Sequence, residues 1–137
     1  MAVFLSQDWL DLTVRLWAED MDQPGPSVLV QFLVTGGPVP DAAYWWRLEE
    51  GRLQEAGSGL IGGSGTDPDV TVTQTYADAV GIQTGTMDAN AAIMQGRVKV
   101  AGDLAKLMSI LALTASGSYR DLQRRIGAGT EYPAPPT

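Results

Sequence analysis

Two pairs of carboxylates are the first residues in this sequence whose type and spacing could do chemistry. Glu49 and Glu50 are adjacent, and adjacent side chains in a strand point to opposite faces, so they cannot act as an acid–base pair. Asp67 and Asp69 flank Pro68, a spacing that could contribute oxygen ligands to a hard-cation site. The ligands are too few for a complete site, so we expect both side chains to lie in a solvated loop.

The sequence contains no histidine and no cysteine, the residues that carry much of enzyme chemistry. A Ser-His-Asp triad, a thiolate nucleophile, a disulfide and a cysteine-ligated zinc or iron–sulfur cluster are therefore excluded. The commonest general base near neutral pH is missing as well. We predict a protein that is not an enzyme, with no catalytic residues, no metal ligands and no cofactor.

The charge balance limits the partners that this protein could bind. The formal net charge is −7, with 9 Lys and Arg against 16 Asp and Glu. Nucleic-acid binding needs a basic surface, so an acidic protein is not expected to bind nucleic acid. The pair Arg124-Arg125 is interpreted as the solvated face of a helix.

Length and hydrophobic patterning predict a single domain over residues 1–137, large enough to bury a core. No apolar run is long enough to span a bilayer, and the start of the chain lacks the basic region of a secretory signal. We therefore expect a cytoplasmic protein without stable membrane insertion. The glycine-rich stretch from 57 to 69 lacks a Walker lysine and a GxGxxG order after a strand, so we interpret it as a loop rather than a phosphate site.

The first half of the chain reads as one helix followed by strands. Ser6 is a suitable N-cap for a helix over residues 6–21. Alternating residues predict a β-meander with strands over residues 28–34, 44–49 and 52–56. On the first strand, Val30 and Phe32 share one face, and Gln31 indicates that the opposite face is the more exposed one.

The second half mixes strands with short helices. The pattern predicts strands over residues 69–74 and 97–100, and helices over 75–84, 89–95, from 103 onward and over 119–126. We expect residues 127–137 to form a loose tail. This order of elements is typical of an α+β fold in which helices cover one face of a mainly antiparallel sheet.

One segment carries a family resemblance. Residues 85–103 read GTMDANAAIMQGRVKVAGD: a glycine, a short capped helix, a second glycine, a strand alternating basic and aliphatic residues, and a third glycine before an apolar helix. This arrangement resembles the sterol carrier protein 2 family, with these residues in register: Gly85, Ala92, Met94, Gly96, Lys99 and Gly102. Residues 69–73 and 104–111 resemble the flanking strand and the last core helix of the family. Ala89 departs from the pattern, since proline is frequent there.

The resemblance implies a five-stranded sheet covered by helices, with an apolar tunnel between the two layers. Members of the family bind sterols, fatty acids and fatty acyl-CoA, and the domain brings no catalytic residues with it. The implied partner is thus a lipid or another apolar small molecule.

Apolar and adaptable side chains suit the wall of such a cavity. The predicted ligand-binding residues are Phe32, Trp46, Val72, Tyr76, Val80, Ile93, Met94, Val100, Met108, Ile110 and Leu111. For any one of them, a place in a solid core is the more economical interpretation. The family resemblance favours a cavity for the set.

Two other hypotheses remain open at this point. The fold could serve as an interaction or dimerisation module, with an exposed Trp45, for a lipid-metabolising enzyme. It could also be a small enzyme that acts on an acyl or polyketide substrate, because a fold alone does not determine a function.

Overall fold

A five-stranded sheet with helices on one face makes up most of the molecule. The computed structural model describes residues 1–21, 24–38, 42–61 and 67–133. The strands of the main sheet are β2 (Val28–Thr35), β3 (Ala42–Glu49), β4 (Arg52–Ser58), β5 (Val70–Thr75) and β6 (Lys99–Gly102). Their spatial order is β4-β3-β2-β5-β6. A separate pair joins the ends of the described chain, β1 (Ala2–Val3) and β7 (Thr130–Glu131).

Over the described ranges, five helices accompany the sheet, and a residue with a short polar side chain precedes each of them. The helices are α1 (Gln7–Asp20), α2 (Tyr76–Thr84), α3 (Ala89–Met94), α4 (Leu104–Thr114) and α5 (Gly117–Ala128). At the start of each helix the side-chain oxygen of the capping residue accepts a hydrogen bond from a backbone N–H of the first turn; the capping residues are Ser6, Thr75, Asp88, Asp103 and Ser116. None of the helices within the described ranges combines the length and apolarity that crossing a bilayer requires.

The α+β expectation is confirmed, and the sheet is mixed. Strand β2 pairs antiparallel with β3 and parallel with β5, while β3–β4 and β5–β6 are antiparallel. The β3–β4 turn places both Glu50 and Gly51 at positive φ, as a tight two-residue hairpin requires. Strand β5 lies beside β2 rather than beside β4, so β4 and β5 do not form a hairpin. The glycines Gly62, Gly63 and Gly65 of the predicted loop lie outside the described residues.

The face of β2 that carries Gln31 is the more exposed of the two, as the sequence indicated, but Gln31 itself is buried. Gln31 is only 5% exposed, although it does lie on the face opposite the helices. Its amide donates to the carbonyl oxygens of Tyr44 at 3.0 Å and Gly59 at 3.2 Å, and it accepts the N–H of Ile61 at 2.8 Å. The segment after β4 folds over this face and buries the glutamine, whose hydrogen bonds compensate for the lost water.

Trp45 shares that outer face and is half-buried rather than fully exposed. Its indole ring lies directly against Gly57 of the neighbouring strand, at a place where a Cβ atom would come within 2.7 Å of the ring. The ring therefore covers its own sheet, which leaves less of it for a partner than the sequence indicated.

The expectation of a loose tail from residue 127 is wrong for the residues that the structure describes. Helix α5 continues to Ala128, and β7 then pairs in parallel with β1. Thr130 is buried, and the ring of Tyr132 packs on Phe4 with centroids 5.2 Å apart. Residues 134–137 of the predicted tail lie outside the described residues.

The last strand begins two residues later than its alternation indicates. The backbone N–H groups of Arg97 and Val98 donate to the carbonyl oxygen of Ala92, at 3.0 and 3.2 Å, and so close the end of α3. The Arg97 guanidinium also contacts the buried carboxylate of Asp78 at 2.7 Å. These bonds hold residues 97 and 98 against α2 and α3, and the ladder with β5 starts at Lys99.

Candidate functional site

A cavity between the sheet and the helices is the main candidate site. Side chains of a strand alternate between faces, so every second residue of four strands faces the helices. These residues form the floor of the cavity: Val30, Phe32, Tyr44, Trp46, Val72, Gln74 and Val100. The Phe32 and Tyr44 rings stack with centroids 4.4 Å apart, and Trp46 packs edge-on against Phe32 at 4.9 Å. The β3 side of the floor is therefore aromatic and the β5–β6 side mainly aliphatic.

Four helices form the roof. Helix α4 contributes Leu107, Ile110, Leu111 and Thr114, whose spacing of three and four residues places them on one face. Helices α2 and α3 supply shorter stretches. Helix α5 contributes Tyr119, Arg120, Gln123, Arg124 and Gly127. The two layers leave between them a cavity of about 770 Å³ that opens to solvent on one side. This volume lies within the range of small-molecule pockets.

The mouth of the cavity lies between the α2–α3 junction and α5. The lining residues that are exposed to solvent are Thr84, Gly85, Asp88, Ala115, Arg120 and Arg124. Among the described lining residues, the charged ones are all in this exposed set. The deeper wall is built from apolar and uncharged polar side chains.

Seven of the eleven predicted ligand-binding residues line this cavity. They are Phe32, Trp46, Val72, Ile93, Val100, Ile110 and Leu111. The sheet residues follow from simple alternation, and Ile110 and Leu111 lie on the inward face of α4. A role of these side chains in binding stays a prediction.

The other four predicted residues lie outside the cavity. Met94 and Met108 are 88% and 59% exposed, because they lie on the outer faces of α3 and α4. Val80 is half-buried and packs against the core. The ring of Tyr76 packs beside Phe4, and its hydroxyl donates to the carbonyl oxygen of Pro133 at 2.7 Å. Periodicity identified α4 as a packed helix, but only the crossing of α4 over the sheet decides which of its residues face inward.

Several lining residues were missed by the sequence reasoning, and some had left a signal. Val30, Tyr44 and Gln74 share the alternation of predicted floor residues, so extending the pattern by one step finds them. Tyr119 and Gln123 lie on a helix that the sequence had indicated only weakly. Phe4 and Tyr132 had no local signal, since they reach the cavity through the pairing of β1 with β7.

The tyrosines that face the cavity lie in a low-dielectric environment. Burial raises the pKa of Tyr44 far above its ordinary value, and the neighbouring Tyr119 adds to the rise. Burial likewise raises the pKa of Tyr119, opposed in part by a hydrogen bond to Gln123. Both phenols stay neutral over the physiological range and can donate or accept hydrogen bonds.

The carboxylates that the sequence offered for a cation site have separate environments. Asp69 accepts the N–H of Leu29 at 2.9 Å and pairs with the Lys106 ammonium at 3.3 Å, while Asp67 is exposed. Asp69 is thus a structural carboxylate rather than a solvated one. Within the part of the chain that the structure describes, no three acidic residues cluster in a way that could hold a metal ion.

Comparisons with known proteins agree with this architecture. A crystal structure of sterol carrier protein 2 superposes with a TM-score of 0.70, covering 88% of this chain and 97% of that chain at 15% identity. The solution structure of palmitated SCP2L2 from Aedes aegypti gives a TM-score of 0.57 at 23% identity, covering 81% of this chain and 95% of that one. A double mutant of the sec-alkyl sulfatase PisA1 gives 0.56 at 25% identity, but only 16% of its chain is covered against 75% of this one.

No curated protein sequence matches the chain. The model of the SCP-2 sterol transfer family, however, matches residues 29–114, which is more than half of the chain. The matched range contains the whole five-stranded sheet apart from the first residue of β2, together with α2, α3 and α4. The chain therefore belongs to the SCP-2 sterol transfer family.

Proposed function

We propose that this protein binds a lipid in the cavity between its sheet and its helices and carries it without chemical change. The observation that carries the proposal is the cavity of about 770 Å³ enclosed by the apolar face of the sheet and the inner face of α4. Membership of the family supports the same assignment. The ligand class is a sterol, a fatty acid or a fatty acyl-CoA.

The energetics of burial are sufficient for useful affinity. Each buried methylene contributes about 0.8 kcal/mol, so ten methylenes contribute roughly 8 kcal/mol before costs. Micromolar binding corresponds to about 8.2 kcal/mol. Losses of translational freedom and of ligand flexibility reduce the net value, so a longer chain or a sterol skeleton is needed to exceed micromolar affinity.

The charges at the mouth suggest how an amphipathic ligand is oriented. Arg120 and Arg124 lie one helical turn apart on α5 and both border the opening, with Asp88 on the opposite side. Arg124 pairs with Asp121 at 3.2 Å, and Arg120 beside it adds a cationic group at the mouth, which favours an anionic or strongly polar end of the ligand there. The apolar body then occupies the interior.

Carriage rather than catalysis is supported by the residues that line the interior. The full sequence has no histidine and no cysteine, and the charged groups of the described lining lie at the solvent-exposed rim. A reacting group in the interior would therefore meet only neutral hydrogen-bonding partners from the described lining.

A second candidate has one observation in its favour. The likeness to part of a sec-alkyl sulfatase indicates that this fold also occurs inside a larger enzyme chain. On this alternative, the protein is a module that docks onto a lipid-metabolising enzyme. The exposed Met94, Leu104 and Met108 would then contribute to the docking surface.

Ligand binding to the delipidated protein separates the two candidates. We expect saturable binding of a fluorescent fatty acid and its displacement by palmitic acid or cholesterol, and native mass spectrometry should detect a co-purified lipid. Absence of saturable binding, with a folded protein confirmed by circular dichroism, would reject the carrier proposal in favour of the docking module.

A further inference from the structure

Two glutamines are buried in the central sheet, and their amides have opposite environments. Gln31 on β2 is 5% exposed and its amide is held by backbone groups of Tyr44, Gly59 and Ile61. Gln74 on β5 is 7% exposed and lies on the cavity face. Within the described ranges, the Gln74 side chain has no hydrogen-bond partner.

A side-chain amide that faces a mainly apolar cavity without a partner in the described protein is unusual for a sheet residue. Nearly all buried side-chain amides in native proteins are hydrogen-bonded, and leaving one unpaired costs free energy. Strand β5 otherwise presents Val70 and Val72 on the same face, and an aliphatic residue would continue the pattern at position 74. The local structure therefore gains nothing from a glutamine there.

We propose that Gln74 determines ligand specificity by hydrogen-bonding an uncharged oxygen, a hydroxyl or a carbonyl, within the apolar body of the bound lipid. The inference rests on the proposed lipid-binding function and deepens it. The ligand class is an oxygenated lipid, in which the oxygen enters the cavity with the hydrocarbon instead of staying at the mouth.

The lining explains why the oxygen is uncharged. The charged residues of the described lining are at the exposed rim, so an ionised group beside Gln74 would lose its hydration without gaining an opposite charge. A neutral hydroxyl can accept from the amide nitrogen or donate to the amide oxygen, and a ketone can accept from the amide nitrogen, so either group suits Gln74.

A second amide on the cavity wall points to the same chemistry. Gln83 of α2 also borders the cavity, and its Nε2 atom is buried without a partner in the described part of the chain. Gln123, the third glutamine of the lining, is already engaged, since its Nε2 donates to the carbonyl oxygen of Ile82 at 3.2 Å. Two of the three lining glutamines thus have free hydrogen-bonding capacity.

Paired fatty acids test the proposal directly. Stearic acid is compared with 10-hydroxystearic, 12-hydroxystearic and 12-oxostearic acids by displacement of a fluorescent fatty acid from delipidated protein. We expect at least one oxygenated acid to bind about fivefold more tightly than stearic acid, the worth of one ordinary hydrogen bond. In Gln74→Leu the ratio between the two affinities should fall to about one, whatever change the new side chain makes to stearic acid binding itself.

Thermal unfolding of the delipidated protein supplies a readout that a merely structural glutamine would not give. Gln74→Leu removes an unpaired amide and should leave the melting temperature unchanged or raise it. Gln31→Leu removes an amide that is hydrogen-bonded to backbone groups of Phe32, Tyr44, Gly59 and Ile61, so it should lower the melting temperature. A gain in stability combined with a loss of selectivity is the signature of a residue kept for function.

The outcomes are distinguishable from failure of the proposed function. If stearic acid itself does not bind, the carrier proposal fails and this inference falls with it. If stearic acid binds but no oxygenated acid is preferred, or if Gln74→Leu retains the preference, Gln74 does not determine ligand specificity. A melting temperature that falls in Gln74→Leu as it does in Gln31→Leu would likewise assign Gln74 a structural role.

Discussion

The carboxylate of Asp69 accepts a hydrogen bond from the backbone N–H of Leu29 at 2.9 Å, which joins the start of β5 to β2. The backbone of Asp69 continues the connection, since its N–H donates to the Leu29 carbonyl oxygen and its carbonyl oxygen accepts the N–H of Asp103. The same carboxylate contacts Lys106 of α4 at 3.3 Å. One residue thus connects two strands of the cavity floor to the helix that forms much of the roof.

Replacement of Asp69 should therefore destabilise the fold. We expect Asp69→Ala to lower the free energy of unfolding by about 2 kcal/mol, because the Leu29 N–H loses a charged acceptor. The pair with Lys106 is partly exposed and adds little to this value. Urea denaturation measures the change. Asp67→Ala, at an exposed position, is the matched control and should stay within about 0.5 kcal/mol of the parent; equal losses in both variants would contradict the role of Asp69.

A charge placed on the inner face of α4 should abolish lipid uptake. Leu111 lines the cavity and is half-buried, so Leu111→Glu introduces an unpaired carboxylate into an apolar wall. Binding of a fluorescent fatty acid should weaken by at least about tenfold, equivalent to 1.4 kcal/mol. Met108→Glu makes the same change on the outer face of the same helix and should bind as the parent does. Equal binding by both variants would place the lipid elsewhere.

Gly102 should tolerate no side chain. Its φ is +117°, and a Cβ atom at this position would lie 2.2 Å from the carbonyl oxygen of Asp69. Gly102→Ala should cost about 3 kcal/mol or more, through backbone strain and through displacement of β6 from β5. Gly117 has open space around its Cβ position and begins α5, so Gly117→Ala should be neutral or slightly stabilising. Differential scanning calorimetry of the two variants measures the difference. A melting temperature of Gly102→Ala equal to that of the parent would refute the close contact.

Alkaline pH should destabilise the protein through its buried tyrosines. Burial raises the pKa values of Tyr44 and Tyr119 above the ordinary 10.0, so the folded state holds these two protons more tightly than the unfolded state does. Their contribution to stability is complete below the unfolded pKa and is lost progressively as pH rises above about 10.

The pH dependence of the free energy of unfolding measures this loss of stability. Urea denaturation between neutral pH and pH 11 should show the free energy of unfolding falling at the alkaline end, and phenolate absorbance should appear together with unfolding. The double variant Tyr44→Phe/Tyr119→Phe should flatten the fall, with the remainder arising from Tyr76 and Tyr132, whose pKa values burial also raises. An undiminished slope in the double variant would assign the effect to other groups.

Local chemistry in the sequence determined most of the elements. Ser6 was identified as an N-cap and accepts a backbone N–H of α1, and the helices predicted near residues 75, 89 and 103 begin after the capping residues Thr75, Asp88 and Asp103. Gly85 ends α2 in the left-handed conformation, which a glycine adopts without strain. Such signals depend on neighbours within a few residues, so a sequence read alone can find them.

The sequence predicted only in part which faces of the strands and helices point toward the cavity. Alternation correctly grouped Phe32, Trp46, Val72 and Val100 on the cavity side of the sheet, because a strand has only two faces. A helix offers more directions, and Met108 was placed inside although it lies outside. The separation between sheet and helices likewise became evident only when both layers were in place.

The sequence by itself determined the order of elements, their caps and the family, because these depend on contacts between near neighbours or on a short motif. Only the tertiary structure decided that Gln31 is buried and hydrogen-bonded while the Gln74 side chain has no partner among the described residues, although both are glutamines in alternating strands. The segment after β4 covers one amide, and the cavity leaves the other without a partner. The physical reason is that hydrogen bonding of a buried side chain depends on groups distant in sequence, which chain folding alone brings together.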